Sequence, residues 1–199
     1  SVERVVDSAA QLLDDLDRQV GDVVTDPEVI EGYRRDAAAP GLLEAGMPIA
    51  VVRPRDTAEV QRAMRTASAH GAPIVPRGAG SGLSGGANAV DGCVVVCLER
   101  MDDVLELDAP ALTATVQPGV INATLKAEAA SVGLWYAPDP ASYEFCTVGG
   151  NVATNAGGLC CVKYGVTRDA VLGVEVVLAG GELVQLGRRT RKGGVGYDL

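Results

Sequence analysis

Apolar positions recur along this chain in two rhythms. Over residues 3–20 Val5, Val6, Ala9, Leu12, Leu13 and Leu16 fall at three- and four-residue spacing, which predicts an amphipathic helix. Asp26-Pro27-Glu28 starts a second helix carrying Val29, Ile30 and Tyr33, with Asp26 as cap and Pro27 at the first helical position. Residues 37–48 hold Pro40, Gly41, Gly46 and Pro48 and read as connecting loop. Short strand-like runs then alternate with helical pattern. Ile49-Ala50-Val51-Val52 is a buried strand; Asp56 or Thr57 caps a helix ending at His70-Gly71; Pro73 to Pro76 is a second strand and Gly92 to Leu98 a third. Val104–Leu107 and Leu112–Val116 predict two strands around Asp-Ala-Pro, and a helix follows from Val120 to Ser131. Val174–Leu178 and Glu182–Leu186 flank Ala179-Gly180-Gly181 as a hairpin.

Two glycine-rich loops interrupt this pattern. The first is Pro76-Arg77-Gly78-Ala79-Gly80-Ser81-Gly82-Leu83-Ser84-Gly85-Gly86 and the second is Thr147-Val148-Gly149-Gly150-Asn151-Val152-Ala153-Thr154-Asn155-Ala156-Gly157-Gly158. Glycine lets main-chain N–H groups approach a ligand with no Cβ in the way, and successive N–H groups turned to one side form an anion-binding concavity. Two such loops predict one large phosphate-bearing cofactor. Gly80-Ser-Gly82-Leu-Ser-Gly85 fits the dinucleotide GxGxxG spacing, but that site needs a helix directly after the glycines, and Gly86 to Gly92 leads into a Val-rich strand instead. Neither Gly-Lys-Ser nor Gly-Lys-Thr occurs, which excludes an NTPase phosphate loop.

Composition narrows the classes. A net charge of −9 over 199 residues argues against nucleic-acid or anionic-lipid partners, and Arg188-Arg189-Thr190-Arg191-Lys192 reads as a solvated loop. The five cysteines Cys93, Cys97, Cys146, Cys160 and Cys161 form no Cys-x-x-Cys pair, which fits neither a disulfide framework nor a zinc site and suits a reducing cytoplasm. Cys93 and Cys97 are expected side by side on one strand face as small buried hydrophobes. No apolar run approaches a membrane span, and no signal pattern opens the chain.

The order of strand, glycine loop, strand, hairpin, helix and second glycine loop resembles the FAD-binding domain of the vanillyl-alcohol oxidase (PCMH-type) flavoproteins. The resemblance rests on Pro76 to Gly82, Val116-Gln117-Pro118-Gly119-Val120, Pro138-Asp139-Pro140, Thr147 to Gly158, Lys163-Tyr164-Gly165 and Leu172 to Leu178. It covers residues 45–199 and is strongest to the FAD-linked D-2-hydroxyacid dehydrogenase branch: glycolate oxidase FAD subunits, D-lactate dehydrogenases and D-2-hydroxyglutarate dehydrogenases.

This resemblance implies an α+β fold with a PCMH-type FAD-binding domain of two α/β lobes: an N-terminal helical segment 1–44, a first lobe 45–109 and a second, incomplete lobe 110–199 lacking the substrate cap. It implies that Pro76, Arg77, Gly78, Ala79, Gly80, Ser81, Gly82, Leu83, Gly85 and Gly86 wrap the FAD pyrophosphate. Thr147, Val148, Gly149, Gly150, Thr154, Asn155, Ala156 and Gly157 would lie along the rest of the cofactor, with Pro138 and Asp139 near the flavin. For Thr147 and Thr154, ordinary turn and strand chemistry is the competing reading. Some members attach flavin through a His in the first loop; Ser81 stands at that position, so FAD is expected to be non-covalent. The implied reaction is oxidation of a D-2-hydroxyacid to its 2-oxoacid with hydride transfer to flavin N5. A sibling activity on an alcohol or sugar, or a non-catalytic nucleotide-binding module, is the alternative. The family's catalytic base and metal ligands lie beyond this chain, so no catalytic or metal residue is expected within it, and the chain alone is expected to be inactive. His70, the single His, reads as a helix-terminal residue. The expected partners are the hydroxyacid and an unidentified electron acceptor, with a homodimer formed through the exposed edges of an incomplete sheet.

Overall fold

The computed structural model describes residues 2–187, and the side chains from residue 8 onward. The basic run 188–192 and the closing segment to Leu199 lie outside the described residues. Those described fall into two units: 2–101 with Val177–Glu182, and Asp102–Val176 with 183–187.

In the first unit, α1 (Val2–Gln19), β1 (Val23–Val24), α2 (Pro27–Ile30), β2 (Ala50–Val52), α3 (Thr57–Ala69), β3 (Ile74–Arg77) and β4 (Val94–Cys97) follow in order. The sheet runs β1-β2-β4-β3; β4 is central and parallel to both neighbours, and β1 is antiparallel to β2. The predicted caps form where the sequence places them. Asp26 accepts from Glu28 N at 2.9 Å, Asp56 accepts from Glu59 N at 2.7 Å, and α3 ends at His70 with Gly71 in the left-handed region at φ +67°.

Strict alternation along β2 and β4 divides the apolar interior in two. Ala50, Val52, Val94 and Val96 pack with Leu12, Leu16, Val20, Ala63 and Ala67. Val51, Val95, Cys93 and Cys97 pack on the other side with Ile30, Val75 and Ala89. Both faces are covered, so these strands are continuously apolar, as a buried parallel sheet requires. Each buried Val contributes about 1.5–3 kcal/mol of transfer free energy. Cys93 and Cys97 thus share one face, as their spacing predicts.

The second unit contains β5 (Val104–Asp108) and β6 (Thr113–Val116), an antiparallel pair with a bulge between Val104 and Glu106. The helices α4 (Asn122–Ser131), α5 (Val148–Thr154), α6 (Cys161–Tyr164) and α7 (Thr167–Ala170) follow. The hairpin of β7 (Gly173–Val177) and β8 (Leu183–Gly187) closes the described chain. Its tip belongs to the first unit, where Gln61 Nε2 and Arg65 Nη2 donate to Gly181 O at 2.9 and 3.0 Å. Val120, Leu125 and Val148 form a small core with Val104, Val116 and Tyr136 around it.

One expectation is corrected here. The second glycine segment is a helix for seven of its residues, not a loop. Thr147 caps α5, accepting from Gly150 N at 3.2 Å, and Asn155 ends it in the left-handed conformation at φ +49°. Gly-Gly is a poor helix former. Here packing overrides propensity: a Cβ on Gly149 would meet Pro118 Cβ at 2.6 Å, and Gly149 N donates to Pro118 O at 2.8 Å.

Among the described residues no helix is long and apolar enough to cross a membrane.

Candidate functional site

The first glycine loop leaves β3 at Arg77. From Gly78 to Ser84, no main-chain N–H finds an acceptor among the described residues. Beyond that run, Gly85 N donates to Asp36 Oδ2 at 2.6 Å, and Asp36 Oδ1 accepts from Ala38 N at 3.0 Å. Gly82 O accepts from Ala37 N at 2.9 Å, so residues 36–38 anchor the far half of the loop. Gly80 and Gly85 take φ of +69° and +79°, conformations that L side chains rarely adopt. Pro76, Ala79, Leu83 and Gly86 are exposed. A run of free donors with no Cβ at Gly78, Gly80 and Gly82 is what an anionic diphosphate needs, so the loop fits the group that the sequence implies.

Arg77 is the buried member of this loop, 9% exposed. Its Nη1 donates to Arg35 O at 3.0 Å and to Tyr33 O and Ala87 O at 3.4 Å; the guanidinium lies 5.7 Å from the Tyr33 ring centroid. The rest of the guanidinium sits under Gly80, where a Cβ would run into Nη2 and come within 3.1 Å of Nε.

The second segment spends its groups differently. Gly149 and Gly150 N–H groups are engaged by Pro118 O and Thr147 Oγ1. Val148 N donates to Val120 O and Ala156 N to Asn151 O. Thr154 Oγ1 donates to Gly150 O at 3.0 Å, and Asn155 Oδ1 accepts from Arg168 N at 3.0 Å. Gly157 N has no acceptor among the described residues. Pro138 is buried. Asp139 packs against Gly158, where a Cβ would overlap Asp139 O, and its carboxylate accepts from Cys160 N at 3.0 Å. Its contact with Cys160 holds the Asp139 carboxyl below the usual carboxylate range and lifts the Cys160 thiol above its ordinary value. The Asp139–Cys160 contact joins residues 21 apart and had no sequence signal, whereas the Thr147 cap is local, bonding three residues ahead, and is masked only by a Gly-Gly that reads as loop.

Elsewhere several titratable groups serve the scaffold. His70 Nε2 pairs with Asp15 Oδ2 at 2.9 Å at the end of α3. Burial pushes the Cys97 thiol up to about 11 and the Tyr136 hydroxyl up to about 12. Among the described residues no group of three or more His, Cys, Asp or Glu is placed to hold a metal ion. A groove of about 460 Å³ lined by Arg34, Arg35, Glu44 and Asp91 has its cations already engaged: Arg34 donates to Ala45 O and Gly46 O, and Arg35 to Leu43 O.

Comparison with known proteins places the FAD binding domain family on residues 48–187. Over 153 residues the chain is 48% identical to the glycolate oxidase subunit GlcD of Bacillus subtilis, covering 77% of this chain and 33% of that protein. It is 40% identical over 190 residues to a D-2-hydroxyglutarate dehydrogenase of Stutzerimonas stutzeri, covering 94% and 40%. A D-lactate dehydrogenase of Anaerostipes hadrus is 39% identical over 177 residues, covering 89% and 37%. The chain therefore spans little more than a third of the length of these relatives. Among solved structures, the 4-ethylphenol oxidase of Gulosibacter chungangensis superposes with a TM-score of 0.76 at 27% identity, covering 90% of this chain and 35% of that one. An alkyldihydroxyacetonephosphate synthase gives 0.74 at 26%, covering 86% and 33%.

Proposed function

This chain belongs to the FAD-binding domain family and its cofactor is FAD, and from that premise we propose that it is the FAD-binding portion of an oxidoreductase that converts a D-2-hydroxyacid to its 2-oxoacid. The substrate class is supported by the 48%, 40% and 39% identities to proteins named for glycolate, D-2-hydroxyglutarate and D-lactate. Attachment of the cofactor is non-covalent, with Ser81 in the loop position where a His would be needed.

The observation that carries the assignment of the site is the unbroken run of N–H groups from Gly78 to Ser84 with no acceptor among the described residues. These donors hold the FAD diphosphate with fixed dipoles, at no cost in side-chain ordering. In the second segment the Gly157 N–H, which has no acceptor among the described residues, and the exposed Thr154 hydroxyl are the groups open to a ligand. Thr147 and Asp139 act by shaping that segment, since the hydroxyl caps α5 and the carboxylate holds Cys160. When bound, FAD supplies the hydride acceptor, its N5, and the chain supplies orientation and charge. The thiols of the five free cysteines suit a cytoplasmic location.

The test is optical. The purified chain should show a flavin spectrum, and heat should release FAD identifiable by mass. The full-length gene product should bleach anaerobically with D-lactate, glycolate or D-2-hydroxyglutarate and not with the L-enantiomers of the chiral acids. A protein that stays colourless with added FAD overturns the site assignment; a yellow full-length protein that none of the hydroxyacids bleaches overturns the substrate class alone.

A further inference from the structure

Arg77 stands out among the buried charges of the described chain. It is 9% exposed and pairs with no carboxylate among the described residues. Only Nη1 is engaged, by three main-chain carbonyls. Its remaining donors, Nη2 and Nε, have no acceptor among the described residues, and both lie directly beneath Gly80. A buried cation is costly unless something negative meets it. Carbonyl dipoles and the Tyr33 face offset part of that cost, and they hold the guanidinium in one orientation.

The opposite charge sits at the other end of the loop. Asp36 lies 3.8 Å from the position a Cβ on Gly82 would take and holds Gly85 N. The Asp36 carboxylate repels an anion from that half. The loop is therefore polarised: a fixed cation under Gly78–Ser81 and a fixed carboxylate behind Gly82–Gly85.

We propose that Arg77 is a positioning residue for the diphosphate: its guanidinium props the left-handed turn at Gly80 from below and lends the Gly78–Ser81 half of the loop a positive charge, while Asp36 keeps phosphate off the Gly85 half. The inference rests on the assignment of FAD to this loop and adds the side chain that sets where along the loop the negative charge settles. Arg suits the task better than Lys, because its planar fork spends one nitrogen on the carbonyl cage and keeps the others for the loop above.

The test uses FAD and ADP titrations of the wild-type chain and of Arg77→Met, Arg77→Lys and Asp36→Asn at a series of salt concentrations. The charge contribution predicts that Arg77→Met weakens both ligands about tenfold or more at low salt, the range of a hydrogen bond to a charged group. It also predicts convergence with wild type as salt rises. Arg77→Lys should keep the wild-type salt slope with intermediate affinity, and Asp36→Asn should bind ADP at least as tightly as wild type. Unchanged affinity in Arg77→Met, or weakening by one factor at every salt concentration, overturns the proposal. So does an Asp36→Asn variant as weak as Arg77→Met. Should Arg77→Met fail to fold by circular dichroism, Arg77→Lys decides, since loss of its salt slope overturns the proposal. A wild-type chain that binds neither FAD nor ADP overturns the underlying site assignment as well.

Discussion

The two glycine-rich segments look interchangeable in composition and do opposite things with their glycines. In the first, glycine keeps side chains away from a stretch of backbone whose N–H groups, from Gly78 to Ser84, have no acceptor among the described residues. In the second, glycine lets two pieces of chain touch: Gly149 lies on Pro118, Gly158 lies on the Asp139 carbonyl, and the N–H groups of Gly149 and Gly150 are already used. One segment leaves its main chain open and the other is closed upon its own fold. Glycine count alone therefore does not identify a binding loop; the fate of the N–H groups does.

Substitution with alanine should separate the two jobs. The largest effect is expected at Gly158, where the new Cβ would overlap backbone that cannot swing aside. Gly158→Ala should lower unfolding stability by about 2–3 kcal/mol, the upper range for overpacking, read as a shifted denaturant midpoint with unchanged slope. Gly149→Ala comes next, and its sign is informative. Alanine in a helix interior ordinarily adds about 1 kcal/mol over glycine, yet the Pro118 contact should turn this into a loss of about 1–2 kcal/mol. A stabilised Gly149→Ala would show that α5 is not packed on Pro118 as described. In the first loop, Gly82→Ala should leave unliganded stability within about 0.5 kcal/mol, as at an uncrowded surface site, and weaken FAD binding measured by flavin fluorescence.

Smaller effects follow from the titrating groups. The Asp139 carboxyl is held low by Cys160, so its contribution is present above the ordinary carboxylate pKa and is lost as pH falls through the depressed value. Asp139→Asn should thus be slightly less stable than wild type at neutral pH, and the two melting temperatures should converge in acid. Smallest of all is a labelling difference that leaves stability untouched. At pH 8 iodoacetamide should modify half-exposed Cys161 in the native chain, and half-exposed Cys160 more slowly, since Asp139 raises its thiol. Cys93 and Cys97, buried and with thiols raised by desolvation, should react only after denaturation, by mass spectrometry of the peptides.

Local chemistry made much of this fold legible. Asp26 and Asp56 cap helices by bonding two or three residues ahead, and the alternation in Ala50–Val52 and Val94–Cys97 names the two faces of the sheet directly. Illegible features depend on partners distant in sequence. Helix α5 exists against the propensity of Gly-Gly because Pro118 and Val120 meet its first turn. Val23–Val24 is too short for any periodicity and becomes a strand only by pairing with Val51 and Val52. Sequence flagged Arg77 as part of a glycine loop, but its side chain turns away from solvent into a cage of carbonyls from Tyr33, Arg35 and Ala87, which no spacing rule encodes.

The central strand of the first sheet is also the last of its four to leave the ribosome. Until Val94–Cys97 emerges, β2 and β3 have no shared neighbour to bridge them, and each shows a row of unpaired backbone groups flanked by Val and Ile. The nascent chain must therefore carry the open edge of β2 while more than forty residues beyond Ala50 are added, joined by that of β3 only after Arg77. Vulnerability to misassembly is concentrated in that interval, and it ends in one step when β4 slots between its neighbours.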